Sequence, residues 1–344
     1  MRILFSSHVF APSVGGLESV SQTLATEFVR QGHEVRLITR TPGTVERCGK
    51  LQVLRAPGAA QLLGLARWCD VYFHNNISLP RAWPLLCVRR PWIVAHHVWI
   101  PRRGLAARLK RLALQAATSI SVSHAIARDL PVPSHVIPNP YDDATFRELP
   151  DVGRSRDLVF LGRLVSDKGA DLLLSALARL RAGGLVPSLT IIGSGPEEAA
   201  LRRMSEALGL AGAVSFVGEC RGAELVRRLN AHRIIVVPSR WQEPFGVVAL
   251  EGLACGCIPV ASSGGGLREA IGECGITFPN GDAAALSEVL GHLLREPERV
   301  RQLRARARDH LRRHTAANVA QEYLGVFAQV LEGSGYGRAR TRSI

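Results

Sequence analysis

Two carboxylates stand at positions where they could hold a sugar ring. Glu243 lies in a stretch that follows a run typical of a strand and ends at Pro238, and Glu251 follows eight residues later, inside a predicted helix that begins near Gly246. A carboxylate accepts hydrogen bonds from two hydroxyl groups, which is the chemistry of ribose or hexose recognition. Either Glu alone could be an exposed helix charge, but the apolar neighbours of Glu251 predict a buried helix, where a carboxylate needs a partner.

Two cations follow another predicted strand. Leu158 to Gly162 leads into Arg163 and then into Lys168, directly before a helix predicted from Ala170. A guanidinium, an ammonium and the free N–H groups of a helix N-terminus all favour anionic oxygens, so the segment could bind a diphosphate. The alternative is a solvated loop with a capping charge.

Glycine-rich turns come between further strands and helices. Gly193-Ser-Gly195-Pro196 follows a predicted strand and opens a helix, and Ser262-Ser-Gly264-Gly-Gly266 does the same. Such turns let the backbone approach a ligand closely. The first turn lacks the third glycine of the dinucleotide fingerprint, so we do not infer NAD from it.

The elements around these residues alternate between strand and helix, which predicts parallel sheets with crossover helices. Prolines and charges interrupt this alternation between residues 137 and 156, after which it restarts. We therefore predict an α/β protein of two Rossmann-like, doubly wound domains facing a cleft, with ligands at the strand carboxyl ends. The predicted segments are a first domain (1–150), a second domain (151–316), a C-terminal helix (317–332) and a flexible tail (333–344).

Composition narrows the function classes. The 344 residues carry a net charge of +14, which favours phosphate-bearing or other anionic partners. The basic run from Arg299 to Arg313, expected on one surface helix, has no interleaved aromatic residues, so we expect no nucleic-acid partner. The seven cysteines include no C-x-x-C pair, and no signal-like or membrane-spanning run is present, which favours a reduced protein in the cytoplasm.

In this order and spacing, the cations, the glycine turns and the E-x7-E pair resemble the donor domain of GT-B glycosyltransferases of family 4 (glycosyl transferases group 1). The first domain agrees, since Pro12-Ser-Val-Gly15-Gly16 is similar to the family's N-terminal glycine loop and Val136-Ile-Pro-Asn139 to its interdomain segment. The resemblance covers roughly residues 1–330.

The resemblance implies a role for each matching residue. Arg163 and Lys168 would neutralise the leaving nucleotide diphosphate, Glu251 would hold the ribose, and Glu243 would lie near the transferred sugar. The backbone of the remaining donor-binding positions would face sugar or phosphate; they are Gly15, Gly16, Gly193, Gly195, Phe245, Gly246 and Val247. Retention of configuration, no cofactor and no metal are also implied, and the sequence contains no D-x-D.

The family has an acceptor-side histidine at the end of a first-domain strand. His97 is the preferred candidate, because His96 should still lie within the strand. His8 and Asn139 are further acceptor candidates, and His74 ends another predicted strand.

Residues 99–112, which follow His97, combine leucines on one helical face with arginines on another. We expect this segment either to meet an anionic membrane surface or phosphorylated acceptor, or to pack as an ordinary amphipathic helix on its own sheet.

The expected function is metal-independent, retaining transfer of a hexose from a nucleotide-diphosphate sugar to a saccharide or lipid-linked acceptor, as in polysaccharide biosynthesis. UDP is favoured and GDP remains open. The alternatives are a nucleotide-sugar epimerase or phosphorylase on the same fold, or a non-catalytic relative that binds a nucleotide or anion. Zinc at Cys255-Gly-Cys257 is not expected, because the pair lies in an apolar helix-to-strand turn.

Overall fold

The structure is a computed structural model that describes residues 1–13, 15–44 and 46–333. The chain divides into two compact units. The first contains Met1–Pro140 together with the segment that begins at His314, and the second contains Tyr141–Arg313. The boundary therefore falls after Pro140 and not after residue 150 as predicted from the sequence, because Phe146 and Leu149 pack against the core of the second unit. The predicted tail lies outside the described residues from 334 onward.

A mostly parallel sheet forms the centre of the first unit, in the order β3-β4-β2-β1-β5-β6-β7-β8; only β3 is antiparallel to its neighbour. Its inner strands are continuous runs of buried residues, as expected for a sheet covered on both faces. The strands are β1 (Arg2–Ser7), β2 (Glu34–Thr39), β3 (Glu46–Cys48), β4 (Leu51–Arg55), β5 (Val71–Asn75), β6 (Trp92–His96), β7 (Thr118–Ser121) and β8 (Ser134–Val136).

The first helix of this unit buries Val20, Leu24 and Phe28, the spacing that predicts it. A later short helix is capped by Ser123, whose hydroxyl accepts a hydrogen bond from the Ile126 N–H. The helices are α1 (Gly16–Arg30), α2 (Ala59–Trp68), α3 (Leu79–Ala82), α4 (Leu105–Ala113) and α5 (His124–Asp129).

The second unit has a parallel sheet in the order β11-β10-β9-β12-β13-β14. Its strands are β9 (Arg156–Leu161), β10 (Leu189–Ile192), β11 (Val214–Phe216), β12 (His232–Val237), β13 (Ile258–Ser262) and β14 (Ile276–Phe278). The helices are α6 (Ala170–Ala182), α7 (Glu198–Ala207), α8 (Gly222–Asn230), α9 (Val247–Ala254), α10 (Leu267–Ile271), α11 (Ala283–Arg295), α12 (Pro297–Ala305) and α13 (Ala307–Arg313). The expected α/β class with doubly wound parallel sheets is confirmed.

The basic run from Arg299 to Arg313 is not one surface helix, which corrects the sequence expectation. It is divided between α12 and α13 at Arg306. Val300 and Leu303 are buried and anchor α12 on the core of the second unit.

The last helix, α14 (Ala316–Gly333), packs on α1 in the first unit. Its Tyr323 and Phe327 rings lie 5.6 Å and 5.3 Å from the Phe73 ring, and the Phe327 ring lies 5.6 Å from Phe28. This aromatic cluster holds the C-terminal helix on the N-terminal sheet. Within the described helices, none combines the length and apolarity that crossing a bilayer requires.

Candidate active site

The strand order of the second sheet reverses at β9, which pairs with β10 on one side and with β12 on the other. Loops after the two strands at such a switch point diverge to opposite faces and leave a crevice for a ligand. Lys168 lies in the loop after β9 and Glu243 in the loop after β12. The cation and the first carboxylate of the sequence motif therefore meet at this point.

Lys168 and Glu243 form an ion pair. The Lys168 Nζ donates to Glu243 Oε1 at 2.6 Å, and the Ser239 hydroxyl donates to the same oxygen at 2.8 Å. The two loops are also joined by their backbones, because the Asp167 carbonyl accepts hydrogen bonds from the N–H groups of Arg240 (2.8 Å) and Trp241 (3.2 Å). The ion pair thus rests on a hydrogen-bonded backbone frame.

Arg163 lies in the same loop as Lys168, and its side chain is exposed. No carboxylate in the described part of the chain pairs with it. It can therefore meet an anion without breaking an existing ion pair.

The Gly193 turn packs directly on the Arg163 loop. The Leu164 N–H donates to the Ser194 carbonyl (2.8 Å), and the Glu197 N–H donates to the Leu164 carbonyl (3.1 Å). Gly193 has a φ of +134°, and a Cβ added there would collide with the Gly162 carbonyl oxygen. The turn needs glycine because only a bare Cα allows this approach.

Glu251 lies on α9, whose N-terminus is formed by Gly246 and Val247. The first N–H groups of a helix have no acceptor within the helix and carry a partial positive charge, so they suit an anionic ligand. The Glu251 side chain makes no hydrogen bond or ion pair to any described residue. Burial, with a smaller contribution from the Asp142 charge, raises the pKa of its carboxyl to about 7.

The Gly264 turn fixes Glu243 from the other side. The Gly266 N–H donates to the Glu243 carbonyl at 2.7 Å, and a Cβ on Gly265 would collide with that same carbonyl oxygen. The Asn280 side chain then joins the turn to the Glu243 loop, accepting from the Gly264 N–H (2.7 Å) and donating to the Ser239 carbonyl (3.1 Å). The sequence analysis did not identify Asn280 as a site residue. The Pro-Asn-Gly turn after β14 is the sequence feature that could have indicated it.

The first-unit candidates are distributed along the carboxyl edge of its sheet. His8 follows β1 and is exposed; Gly15 caps α1 and Gly16 begins it. The Asn139 carbonyl accepts a hydrogen bond from His314 Nδ1 at 3.3 Å. The glycine loop includes Val14, which lies outside the described residues.

His97 follows β6 directly, and its N–H donates to the Asn76 side-chain oxygen at 2.8 Å. It is 7% exposed, and neither ring nitrogen has a hydrogen-bond partner among the described residues. Burial lowers the pKa of His97 to about 4, while the neighbouring Asn139 side chain acts in the opposite direction. The ring is therefore neutral at pH 7.

The two rival histidines lie inside strands. The His96 Nε2 is 3.2 Å from the Ser119 hydroxyl, and burial lowers the pKa of His96 to about 3. His74 is fully buried in β5, and its ring packs against those of Tyr72 and Trp92. Because His74 is fully buried within β5, its place near the end of that strand does not expose it to a ligand.

Cys255 and Cys257 lie in the core. Both are buried free thiols, and burial raises the pKa of each to about 12. The Cys257 Sγ lies 3.1 Å from the Leu229 carbonyl oxygen, to which it donates. Across residues 1–13, 15–44 and 46–333, no three His, Cys, Asp or Glu side chains are grouped so that they could hold a metal ion.

Residues 142–310 match the family described as glycosyl transferases group 1. Over 186 residues the chain is 34% identical to the D-inositol 3-phosphate glycosyltransferase of Stackebrandtia nassauensis, covering 51% of this chain and 42% of that protein. Over 170 residues it is 34% identical to a GDP-mannose-dependent α-(1-6)-phosphatidylinositol monomannoside mannosyltransferase of Mycolicibacterium smegmatis, covering 47% and 44%. The aligned part is thus less than half the length of these relatives.

Solved structures share the fold over nearly the whole chain. Sucrose-phosphate synthase from Thermosynechococcus elongatus superposes with a TM-score of 0.79 at 20% identity, covering 96% of this chain and 99% of that one. HepE from Anabaena, solved in complex with UDP, superposes with a TM-score of 0.80 at 19% identity, covering 96% and 100%. Over residues 142–310, just under half of its length, the chain is similar to glycosyl transferases group 1, and its fold is the GT-B fold.

Proposed function

We propose that the protein is a glycosyltransferase that moves a hexose from a nucleotide-diphosphate sugar to a saccharide or lipid-linked acceptor, with retention of configuration and without a metal. One observation carries this proposal: Arg163, Lys168, Glu243 and Glu251 lie at one sheet edge, on the loops and helix that surround its switch point. Cations for a diphosphate and carboxylates for hydroxyl groups are what a sugar nucleotide requires.

In the proposed donor site, Arg163 and Lys168 take the charge that develops as the diphosphate leaves. Fixed cations at that position stabilise the transition state more than the ground state, which is the role a metal plays in other enzymes. The Glu251 carboxylate accepts hydrogen bonds from the ribose hydroxyls, and Glu243 lies near the transferred sugar. The α9 N-terminus and the Gly193 turn offer N–H groups to phosphate or sugar oxygens.

In the proposed acceptor site, His97 acts as a neutral ring. A pKa of about 4 makes it a weak base at pH 7, so orienting the acceptor hydroxyl suits it better than removing the proton. This supports a reaction in which the leaving phosphate oxygen takes that proton. Asn139 beside His97, and His8 after β1, complete the candidate acceptor residues.

A thermal-shift panel with UDP, GDP, ADP and their sugar conjugates tests the donor site, with Glu251→Ala as the paired variant. UDP leads the panel as the commonest donor nucleotide, and GDP follows because one relative is named as GDP-mannose-dependent. A ligand at 100 times its dissociation constant stabilises a fold by about 2.7 kcal/mol, which such an assay resolves. Stabilisation of the wild type but not of the variant supports the proposal; no response to any nucleotide favours a non-catalytic relative.

A product assay then separates transfer from other chemistry on the same fold. Nucleotide release that depends on an added saccharide or lipid-linked acceptor supports a transferase. An epimerised sugar, or sugar release that depends on phosphate, would replace this proposal with an epimerase or a phosphorylase.

A membrane-surface role is a second proposal, favoured by the exposure of α4. Leu105 is 75% exposed and Leu112 is 61% exposed, so the apolar face of this helix does not pack on its own sheet. Arg103 and Arg108 lie in the same segment and make no ion pair within the described chain. An exposed apolar stripe beside free arginines fits a bilayer with anionic head groups.

A further inference from the structure

The first sheet has its own switch point. β1 pairs with β2 on one side and with β5 on the other, so the loops after these strands lie next to each other. His8 follows β1, and Arg40 follows β2, with its N–H donating to the His8 carbonyl at 3.2 Å. Arg81 lies on α3, after β5. The proposed function gives no role to Arg40 or Arg81.

Arg81 is a buried cation without an anion. It is 8% exposed, its Nη1 has no hydrogen-bond partner among the described atoms, and no described carboxylate pairs with it. Its backbone is fixed, because the Tyr72 hydroxyl donates to the Arg81 carbonyl at 2.6 Å. An unpaired buried charge is costly, so a site that keeps one suits a ligand of opposite charge.

Other positive charges lie close by. Arg40 is exposed and Lys110, on α4, is half-buried; neither is ion-paired in the described part of the protein. Burial is the largest cause that lowers the pKa of His8, and the charges of Arg40, Arg81 and Lys110 are the next. Arg40, Arg81 and Lys110 therefore form a local positive cluster beside the neutral His8 ring, and no acid among the described residues pairs with them.

The abundance of arginine alone does not explain this cluster. Several other arginines of the first unit do have carboxylate partners: Arg2 with Asp70 (3.0 Å), Arg55 with Glu46 (2.7 Å) and Arg102 with Asp129 (2.7 Å). Arg40 and Arg81 have no such partner among the described residues, and they follow the strands at the carboxyl edge of the sheet, where ligands of this architecture bind.

We propose that Arg81, Arg40, Lys110 and His8 form a binding site for a phosphate monoester carried by the acceptor. A guanidinium fork binds two phosphate oxygens at once, and a phosphate dianion offsets two of the cluster's charges. The assignment of this anion to an acceptor rests on the proposed transferase function. The binding site itself does not.

Titration calorimetry with inorganic phosphate, glucose 6-phosphate and glucose tests the site. Glucose 6-phosphate should bind and glucose should not. Arg81→Gln and Arg40→Gln should each weaken phosphate binding by roughly tenfold or more, since each removes a charge-assisted hydrogen bond. Arg47→Gln, which changes an exposed arginine on β3, should leave it unchanged. Arg40 is exposed, so its variant remains informative if Arg81→Gln folds poorly.

The donor site also attracts phosphate, so Lys168→Gln is the second control. Phosphate binding that survives Lys168→Gln and is lost in Arg81→Gln supports the proposal. Binding that is lost in Lys168→Gln and kept in both first-unit variants overturns it.

Phosphatidic acid vesicles distinguish a lipid phosphate from a soluble one. Vesicle binding that Arg81→Gln abolishes assigns the phosphate to a lipid, and binding of glucose 6-phosphate without vesicle binding assigns it to a soluble acceptor. Binding of neither probe overturns the site. If the nucleotide panel fails while phosphate still binds through Arg81, the transferase proposal falls and the anion site stands.

Discussion

Lys168 Nζ lies 2.6 Å from Glu243 Oε1, and this contact joins the two loops that diverge from the switch point of the second sheet. The lysine side chain is 26% exposed and the carboxylate side chain 13%. A pair with this much solvent contact adds little to folding stability. Its effect is to fix two side chains where a ligand would meet them.

Lys168→Met should therefore lower donor affinity while leaving the stability of the fold nearly unchanged. We expect the free energy of unfolding to change by less than about 1 kcal/mol, because the ion pair is partly solvated. Affinity for the donor found in the nucleotide panel should fall by roughly tenfold or more, because a cation that meets the diphosphate is lost. Calorimetric titration and chemical denaturation measure the two quantities.

Arg202→Gln is the matched control for that variant. It breaks an exposed ion pair of similar length within α7, to Glu198 at 2.8 Å, and leaves both charges of the Lys168–Glu243 pair in place. Equal losses of affinity in both variants, or a large loss of stability with unchanged affinity in Lys168→Met, would contradict the placement of Lys168.

Donor affinity should rise with pH through the raised pKa of Glu251. Hydroxyl groups donate to the ionised carboxylate, which forms as the pH passes about 7 in the free protein. A sugar nucleotide is the right probe, because its diphosphate is esterified at both ends and does not titrate near neutrality. Binding should be tighter at pH 8 than at pH 6 in the wild type and flat with pH in Glu251→Gln.

The same pKa makes a prediction about stability. The unfolded carboxyl ionises near 4.5 and the folded one near 7, so the folded state holds the proton longer and stability falls as the pH rises between these values. Glu251→Gln removes this loss, and its stability relative to the wild type should increase from pH 4.5 to pH 8. A relative stability that is independent of pH would show that Glu251 ionises normally.

The glycines of the donor turns should not tolerate a side chain. Gly193→Ala places a Cβ against the Gly162 carbonyl at a positive φ, and Gly265→Ala places one against the Glu243 carbonyl. We expect each to cost roughly 2 kcal/mol or more in unfolding free energy, since backbone cannot move aside as a flexible side chain can. Gly212→Ala is the control, because nothing lies within 4 Å of its added Cβ. Equal stability in all three variants would refute the argument.

The fold was largely predictable because its signals are local. Buried strands such as β12 are runs of β-branched residues, and α1 carries four apolar residues at helical spacing, so the sequence predicts both. The strands β3, β4, β8 and β14 were missed. β3, β8 and β14 have three residues each, and β4 is only partly buried, so neither length nor apolar periodicity marks them.

The site was predictable only as a set of residue types. The motifs indicate that Lys168 and Glu243 serve the same ligand, but their direct contact depends on the strand order, which places β9 beside β12. Asn280 and the unpaired state of Arg81 are likewise set by tertiary neighbours. Outside a single helix, sequence spacing does not indicate which carboxylates will lie near a given arginine.

His97→Asn should lower turnover while leaving donor affinity nearly unchanged, the reverse of Glu251→Ala. His97 belongs to the first unit, whereas Glu251 belongs to the second. We expect a fall in kcat of roughly a hundredfold from the loss of one positioned polar group. Initial rates at saturating donor, with His135→Ala as an exposed-histidine control, measure it. The two roles are wrong if His97→Asn loses donor binding and Glu251→Ala loses only turnover.

The neutral state of His97 also predicts the shape of the pH profile. Its pKa of about 4 means that its protonation does not change between pH 5 and pH 8. At saturating donor, the pH profile of kcat should therefore have the same shape near pH 6.5 in the wild type and in His97→Asn. An inflection there in the wild type alone would mean that the ring titrates like an exposed histidine.

Leu105→Ser with Leu112→Ser tests whether the apolar face of α4 meets a membrane. Both leucines are largely exposed, so the double variant should keep its melting temperature, whereas membrane binding should fall because the buried apolar area in the lipid is lost. Co-sedimentation with anionic vesicles at low salt measures the binding. Arg103→Gln with Arg108→Gln should also weaken it, most strongly at low salt, where the charges are least screened. Val186→Ser, at another exposed apolar position in the second unit, is the control. A lower melting temperature with unchanged sedimentation would show that α4 packs on protein instead, and that the exposed leucines have no lipid partner.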